Sequence, residues 1–217
     1  MPSIANTIRH LRKDFTAFEL DESHLKKNPF LQFDIWMKQA LVAAVEEPNA
    51  MTLATVDAKG QPEARVVLLR GMDKKGFVFF TNYDSRKGRA LRKHKKVCLN
   101  FFWPELQRQV RVLGRVEKVS DKASDIYFKS RPRESQIGAW ASRQSEALEE
   151  RSVLEERFIL YEKKFSGKPV PRPSFWGGYR VIPVHLEFWQ GRPSRMHDRI
   201  AYNRTTGGKW KIHRLNP

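Results

Sequence analysis

The sequence predicts a mainly β protein with helices, of the α+β class, built on an antiparallel barrel that late strands close and helices flank. Three observations carry this. Apolar residues alternate at period two in two blocks, from Met51 to Ser120 and again after Pro173. Glycine turns at Asp57-Ala58-Lys59-Gly60 and Asp73-Lys74-Lys75-Gly76 join the first strands tightly enough to make antiparallel neighbours. Helical patterns stand before and between the blocks, with no buried parallel β-α-β repeat.

Taken in order, residues 4–15 carry Ile4, Ile8, Leu11 and Phe15 at helical spacing, with Arg9, Arg12 and Lys13 on the other face. Asn28-Pro29 opens a second helix running to about Glu46. Its N-cap, first-turn proline and apolar series Phe30, Phe33, Trp36, Met37, Ala40 and Leu41 mark it as core. MTLATV, EARVVLLRGM and GFVFFTN then read as a three-strand meander. Asp84 or Ser85 caps the basic helix that follows. VCLNFFW and QRQVRVLGRVEKVS are strands, the second with Val110, Val112 and Leu113 facing inward and a bulge expected at Gly114. Helices are expected at about 120–129, 134–142 and 147–165, followed by a proline-rich connector from Gly167 to Pro173. The strands SFWGGYRVIP, HLEFWQG, RIAYNR and KWKIHRL complete the chain.

The 217 residues suit one domain, with 1–27 as a mobile N-terminal segment and 174–217 as C-terminal strands completing the site. Hydrophobic residues at 40% and charged residues at 30% describe a folded chain, not a disordered basic tail. No apolar run approaches the roughly 18 residues of a membrane span. The N-terminus lacks a signal-peptide core, so the cytoplasm is the expected compartment. The single cysteine, Cys98, excludes an internal disulfide framework and is expected in the core. The net charge of +17 points to anionic partners: nucleic acid, anionic membrane or phosphorylated small molecules.

Dinucleotide, P-loop, zincin and serine-hydrolase motifs are missing, and no histidines pair at metal-ligand spacing, so no metal site is expected. Four clusters of Arg, Lys, Ser and Gln stand out instead. Arg65 and Arg70 lie five apart in ARVVLLR, on opposite faces if the strand is regular. Thr81, Ser85, Arg86 and Lys87 surround a helix N-terminus, whose amides favour phosphate. Tyr127–Ser145 packs three arginines, four serines and two glutamines around an Ile-Gly-Ala-Trp step. RMHDR, Arg195–Arg199, follows the aromatic strand that contains Trp189. A histidine between arginines there could hold an electron-rich planar ligand. Each cluster also reads as a solvated basic edge, and Arg86–Lys96 as the face of a basic nucleic-acid-binding module.

In combination, RVVLLR, FFTNYDSRK, RQVRV, SRPRESQIGAW, PSFWGGYRV, EFWQG and RMHDR closely resemble the pyridoxine/pyridoxamine 5′-phosphate oxidase family, from about Leu11 to Pro217. The resemblance implies an antiparallel Greek-key FMN-binding split barrel, six-stranded, working as a homodimer with FMN at the subunit interface. It implies oxidation of pyridoxamine or pyridoxine 5′-phosphate to pyridoxal 5′-phosphate, with dioxygen as acceptor and hydrogen peroxide released. By matched motifs FMN binding falls to Arg65, Val66, Val67, Leu68, Leu69, Arg70, Phe80, Thr81, Arg86, Lys87, Gln109, Gln144, Ser145, Trp189 and Arg199. Substrate binding falls to Arg70, Tyr127, Arg131, Ser135, Arg195 and His197, with Arg12 and Phe15 as an N-terminal cover, Ile137–Trp140 as packing, and Arg195 and His197 as the catalytic pair. Arg70 stands where the family pattern has lysine, and Phe80 and Phe15 where it has tyrosine. A flavoprotein of the same fold that binds this substrate without oxidising it is the other reading within the family.

Overall fold

The computed structural model describes residues 4–10 and 14–217, and is mixed α+β with a large antiparallel sheet. Its elements in chain order are α1 (Ile4–His10), α2 (Pro29–Val42), β1 (Ala50–Val56), β2 (Pro62–Leu68), β3 (Gly71–Asp73), β4 (Gly76–Asn82) and α3 (Arg86–Lys93). Then come β5 (Lys96–Trp103), β6 (Arg108–Lys118), α4 (Asp121–Ser130), α5 (Arg133–Ala141), α6 (Arg151–Lys164), β7 (Trp176–Gln190), β8 (Asp198–Arg204) and β9 (Trp210–Arg214). The strand order is β2-β1-β5-β6-β7-β4-β3, with β8 pairing β7 and β9 pairing β8. No helix among the described residues is long and apolar enough to cross a membrane.

The chain divides into two compact units, the first comprising residues 1–48, 100–112 and 185–217 and the second 49–99 and 113–184. In the first, α2 starts where Asn28 caps the Phe30 amide and Pro29 presets the first turn. It turns Phe33, Trp36 and Ala40 into the core. There Phe33 meets Phe101 at 4.9 Å, and Trp36 meets Phe188 at 5.1 Å. The helix ends four residues short of the expected Glu46, because Ala44 turns left-handed (φ 52°) and the Val45 amide bonds back to the Ala40 carbonyl. Leu41 is 60% exposed, so it is not core. The first helix stops at His10 in the described residues. Phe15 lies outside it, in irregular chain.

In the second unit, Met51, Leu53, Phe77, Phe79, Leu99 and Val181 are buried around the meander. The expected strand EARVVLLRGM is two strands. At Leu69 and Arg70 the chain changes partner, the Leu69 amide bonding to the Asn49 carbonyl and the Arg70 amide to that of Val78. The parity expected between Arg65 and Arg70 therefore does not apply. In β6, Val110 and Val112 are buried but Leu113 is 38% exposed. The alternation continues unbroken past Gly114, so no bulge is present there. Glycine is needed at 114 because a Cβ would meet the Ile182 carbonyl at 2.5 Å. SFWGGYRVIP and HLEFWQG form one strand, β7. Pairing with β4 ends at Val181 and pairing with β8 begins at His185. Pro183 falls between those two partners, where its missing N–H costs nothing on that edge. Cys98 is half-buried, not core.

Candidate active site

A cavity of about 470 Å³ opens in the second unit, lined by β2, β4, the start of α3, α4, α5 and Trp176. At one end Ser85 caps α3 by accepting from the Gly88 amide at 3.2 Å. Lys87 Nζ donates to Thr81 Oγ1 at 3.2 Å, Ser85 Oγ at 3.3 Å and Gln144 Oε1 at 2.8 Å. No carboxylate is among these partners. Burial, with Arg65 adding repulsion, pulls its ammonium down to about 8. Arg65 itself is clamped. It donates to Thr55 Oγ1 at 2.6 Å and the Leu53 carbonyl at 3.1 Å and pairs with Glu63, which also takes Arg86.

At the other end, α4 stops where Pro132 forces the preceding residue into extended backbone, so Arg131 leaves the helix at φ −73°, ψ 150°. Gln136 fastens the Arg131 carbonyl at 2.8 Å. The Arg131 guanidinium lies 4.6 Å from the Trp176 ring and 5.4 Å from Phe128. Its Nη1 is buried with no hydrogen-bond partner among the described residues. Burial lowers its pKa, Tyr127 raises it, and the positive charge of Arg70 lowers it further. Phe80 and Tyr127 stack at 3.9 Å and 17°, and Trp176 runs nearly parallel to both, 5.6 and 6.2 Å away. Arg70, Lys87 and Arg131 are thus the charged residues of a lining that holds no carboxylate among the described residues.

The first unit holds the other group. Trp189 stands opposite Arg199 across β7 and β8. His197 lies 4.7 Å from the Trp189 ring, and Phe15 lies 5.7 Å from Trp189 and 5.8 Å from His197. His197 Nδ1 accepts the Arg192 amide at 3.1 Å, which leaves the neutral ring its proton on Nε2. Burial and Arg195 lower the pKa of His197 against the pull of Asp198. Ser194 and Arg195 both sit left-handed, at φ 54° and 61°, conformations that cost about 1–3 kcal/mol each. Glu187 is 3% exposed and holds Arg199 Nε at 2.8 Å, with Arg111 on its other oxygen. Ala201 stands opposite Glu187 across β7 and β8. Two arginines keep the Glu187 carboxyl below its usual range despite its burial.

Two family descriptions match the chain: pyridoxamine 5′-phosphate oxidase over residues 37–161, and a pyridoxine 5′-phosphate oxidase C-terminal dimerisation region over residues 176–217. Pyridoxine/pyridoxamine 5′-phosphate oxidase of Trichormus variabilis is 54% identical over 97% of this chain and 99% of its own length. The chain belongs to the pyridoxamine 5′-phosphate oxidase family. Its namesake from Burkholderia mallei is also 54% identical, over 97% and 99%. PhzG from Burkholderia lata 383, solved with tetrahydrophenazine-1-carboxylic acid, superposes with a TM-score of 0.88 at 29% identity, covering 94% of this chain and 100% of that one. A pyridoxamine 5′-phosphate oxidase-related, FMN binding protein from Nostoc punctiforme shares the fold, with a TM-score of 0.67 at 17% identity over 92% and 100%.

Of the residues that the family pattern singles out, Val66, Val67, Leu68, Arg70, Phe80, Thr81, Lys87, Tyr127, Arg131, Ser135 and Gln144 line the cavity. Arg65, Leu69, Arg86 and Ser145 do not line it. Ser145 is exposed, with φ 75°. Phe15, Gln109, Trp189, Arg195, His197 and Arg199 belong to the first unit. Arg12 lies outside the described residues. The step Ile137–Trp140 is only partly packing, since Ile137 is buried while Gly138 and Ala139 line the cavity. Sequence reasoning passed over Asn82, Ser142 and Trp176 in the lining, and the carboxylates Glu63 and Glu187. Trp176 and Glu187 stand inside the motifs PSFWGG and EFWQG, which was the available signal.

Proposed function

We propose that the chain oxidises pyridoxamine 5′-phosphate or pyridoxine 5′-phosphate to pyridoxal 5′-phosphate, as an FMN-dependent homodimer with the flavin held at the subunit interface. The observation that carries this reading is a cavity offering Arg70, Lys87 and Arg131 and no carboxylate among its described lining, in a chain 54% identical to relatives of that name. The donor set suits a phosphorylated flavin. The capped N-terminus of α3, Lys87, Thr81 and Gln144 suit a phosphate. β2 ends the strand order, so Val66–Leu68 have a backbone edge unpaired in the sheet for the polar rim of a planar ring. Gln109, Trp189 and Arg199 complete the flavin contacts in the dimer, with Arg65 and Arg86 behind them. Bound FMN supplies the two-electron acceptor, with dioxygen as final oxidant and hydrogen peroxide as co-product.

In this reading Tyr127, Arg131, Ser135 and Arg70 hold the substrate phosphate. His197 keeps its proton on Nε2 and donates it as a hydrogen bond to the substrate ring, while Arg195 stabilises anionic character there. Phe15 covers the pair and excludes water. The amine lone pair assists the oxidation, so no strong general base is required. The single cysteine accords with the cytoplasm as the compartment.

The test is a peroxide and aldehyde assay on FMN-loaded protein given pyridoxamine 5′-phosphate. Equal yields of both products are expected from a yellow protein. Yellow protein that binds the substrate yet gives neither product would mark a binding flavoprotein. Colourless protein that refuses FMN and binds oligonucleotides with steep salt dependence would overturn the reading altogether.

A further inference from the structure

Three arginines of these two groups are held by carboxylates, Arg65 and Arg86 by Glu63 and Arg199 by Glu187. Arg131 is fixed differently. Its guanidinium rests over the Trp176 ring at 4.6 Å, and Nη1 is buried without a hydrogen-bond partner among the described residues. A carboxylate would immobilise a guanidinium by consuming its N–H donors and cancelling its charge. A ring face holds the cation through its quadrupole and consumes neither. Trp176 is itself buried: 7% exposed, packed against Phe128 at 5.1 Å, and nearly parallel to the Phe80–Tyr127 stack.

We propose that Trp176 is a positioning residue that presents Arg131 by its ring face, so that the guanidinium meets the substrate phosphate with full charge and uncommitted donors. This rests on the reading of the cavity as the phosphate grip. It also separates the two kinds of arginine by task. Carboxylate-clamped arginines supply fixed geometry, and the ring-held arginine supplies the charge that a dianion neutralises.

Site-specific fluorination tests this in the FMN-loaded dimer, because each fluorine on the Trp176 indole weakens the ring's attraction for a cation with little change in shape. KM for pyridoxamine 5′-phosphate should climb with fluorine number to about tenfold, with kcat, FMN content and melting temperature unchanged. Trp176→Phe should raise KM about threefold. In an Arg131→Met background, where KM is already high, fluorination should change it by less than about twofold. A flat KM across the fluorinated series, or the same climb without Arg131, overturns the proposal. If Arg131→Met alone leaves KM unchanged, the phosphate-grip reading fails instead.

Discussion

Lys87 carries a pH signature of its own. An unfolded lysine titrates at 10.5, and burial beside Arg65 brings this one to about 8. Between those values the unfolded chain keeps a proton that the folded one has released. The cost of burying the ammonium is therefore present below pH 8 and is relieved as pH rises toward 10.5. Anion binding has the opposite preference, since a phosphate bound beside Nζ favours the ammonium. The phosphate keeps its charge in this window, its second pKa being about 6. FMN affinity, measured by fluorescence quenching on the apoprotein, should be level between about pH 7 and 7.5 and weaken above 8 by up to about tenfold per pH unit. Lys87→Arg should level that profile, because guanidinium stays charged. The RMHDR loop has a different assignment to test. Arg195→Leu and His197→Ala should each lower kcat by about a hundredfold with flavin retained. Arg131→Ala should instead raise KM with kcat nearly intact. Unchanged constants in all three would remove the assignment.

The helix α3 shows how an element's usual rules invert at a binding site. Gly88 sits in its first turn, and a Cβ there would lie 2.2 Å from the Tyr83 carbonyl oxygen and 2.5 Å from its carbon. Ala ordinarily stabilises a helix interior over Gly by about 1 kcal/mol. Here the clash is with backbone that cannot rotate away, so Gly88→Ala should destabilise by about 1–3 kcal/mol and weaken FMN binding. Gly138 in α5 meets nothing within 4 Å, so Gly138→Ala should instead raise the melting temperature by about 2–4 °C. Equal shifts in thermal melts of the two variants would refute the steric argument. The meander, the Ser85 cap and the α4–α5 break at Pro132 were legible in the sequence because each is set by residues close along the chain. The partner change at Leu69 and Arg70 was not, because it depends on Asn49 and Val78, which are distant in sequence. Pro183 misled for the same reason: whether it ends a strand depends on where its neighbours stop pairing. At the site, Tyr127, Arg131 and Ser135 were singled out only through the family resemblance of the stretch Tyr127–Ser145, and all three line the cavity. Trp176 was not singled out, since an aromatic residue in a glycine-rich strand reads as packing until Arg131 is seen over its face.

At the scale of the whole molecule, the net charge of +17 exceeds what two bound phosphates neutralise, and the excess should act on capture. A dianionic substrate approaching such a protein is steered from beyond contact distance, an effect that salt screens with a Debye length of about 10 Å at 0.1 M. The cavity cations contribute differently. Lys87 is held in a network of hydroxyl and amide partners and Arg131 lies under ring faces, so their contacts with a bound phosphate are poorly screened. Long-range and contact terms should therefore separate with salt. Raising potassium chloride from about 20 to about 300 mM should lower kcat/KM for pyridoxamine 5′-phosphate by about threefold to tenfold while leaving kcat unchanged. Matching the osmolarity with a neutral solute should have no such effect. Charge-neutralising substitutions of Lys93, Lys95 and Lys96, exposed and outside the cavity lining, should make the salt dependence shallower without altering saturated turnover. If kcat/KM is indifferent to salt in the wild-type protein, the surplus charge plays no part in substrate capture, and recognition rests wholly on the contacts inside the cavity.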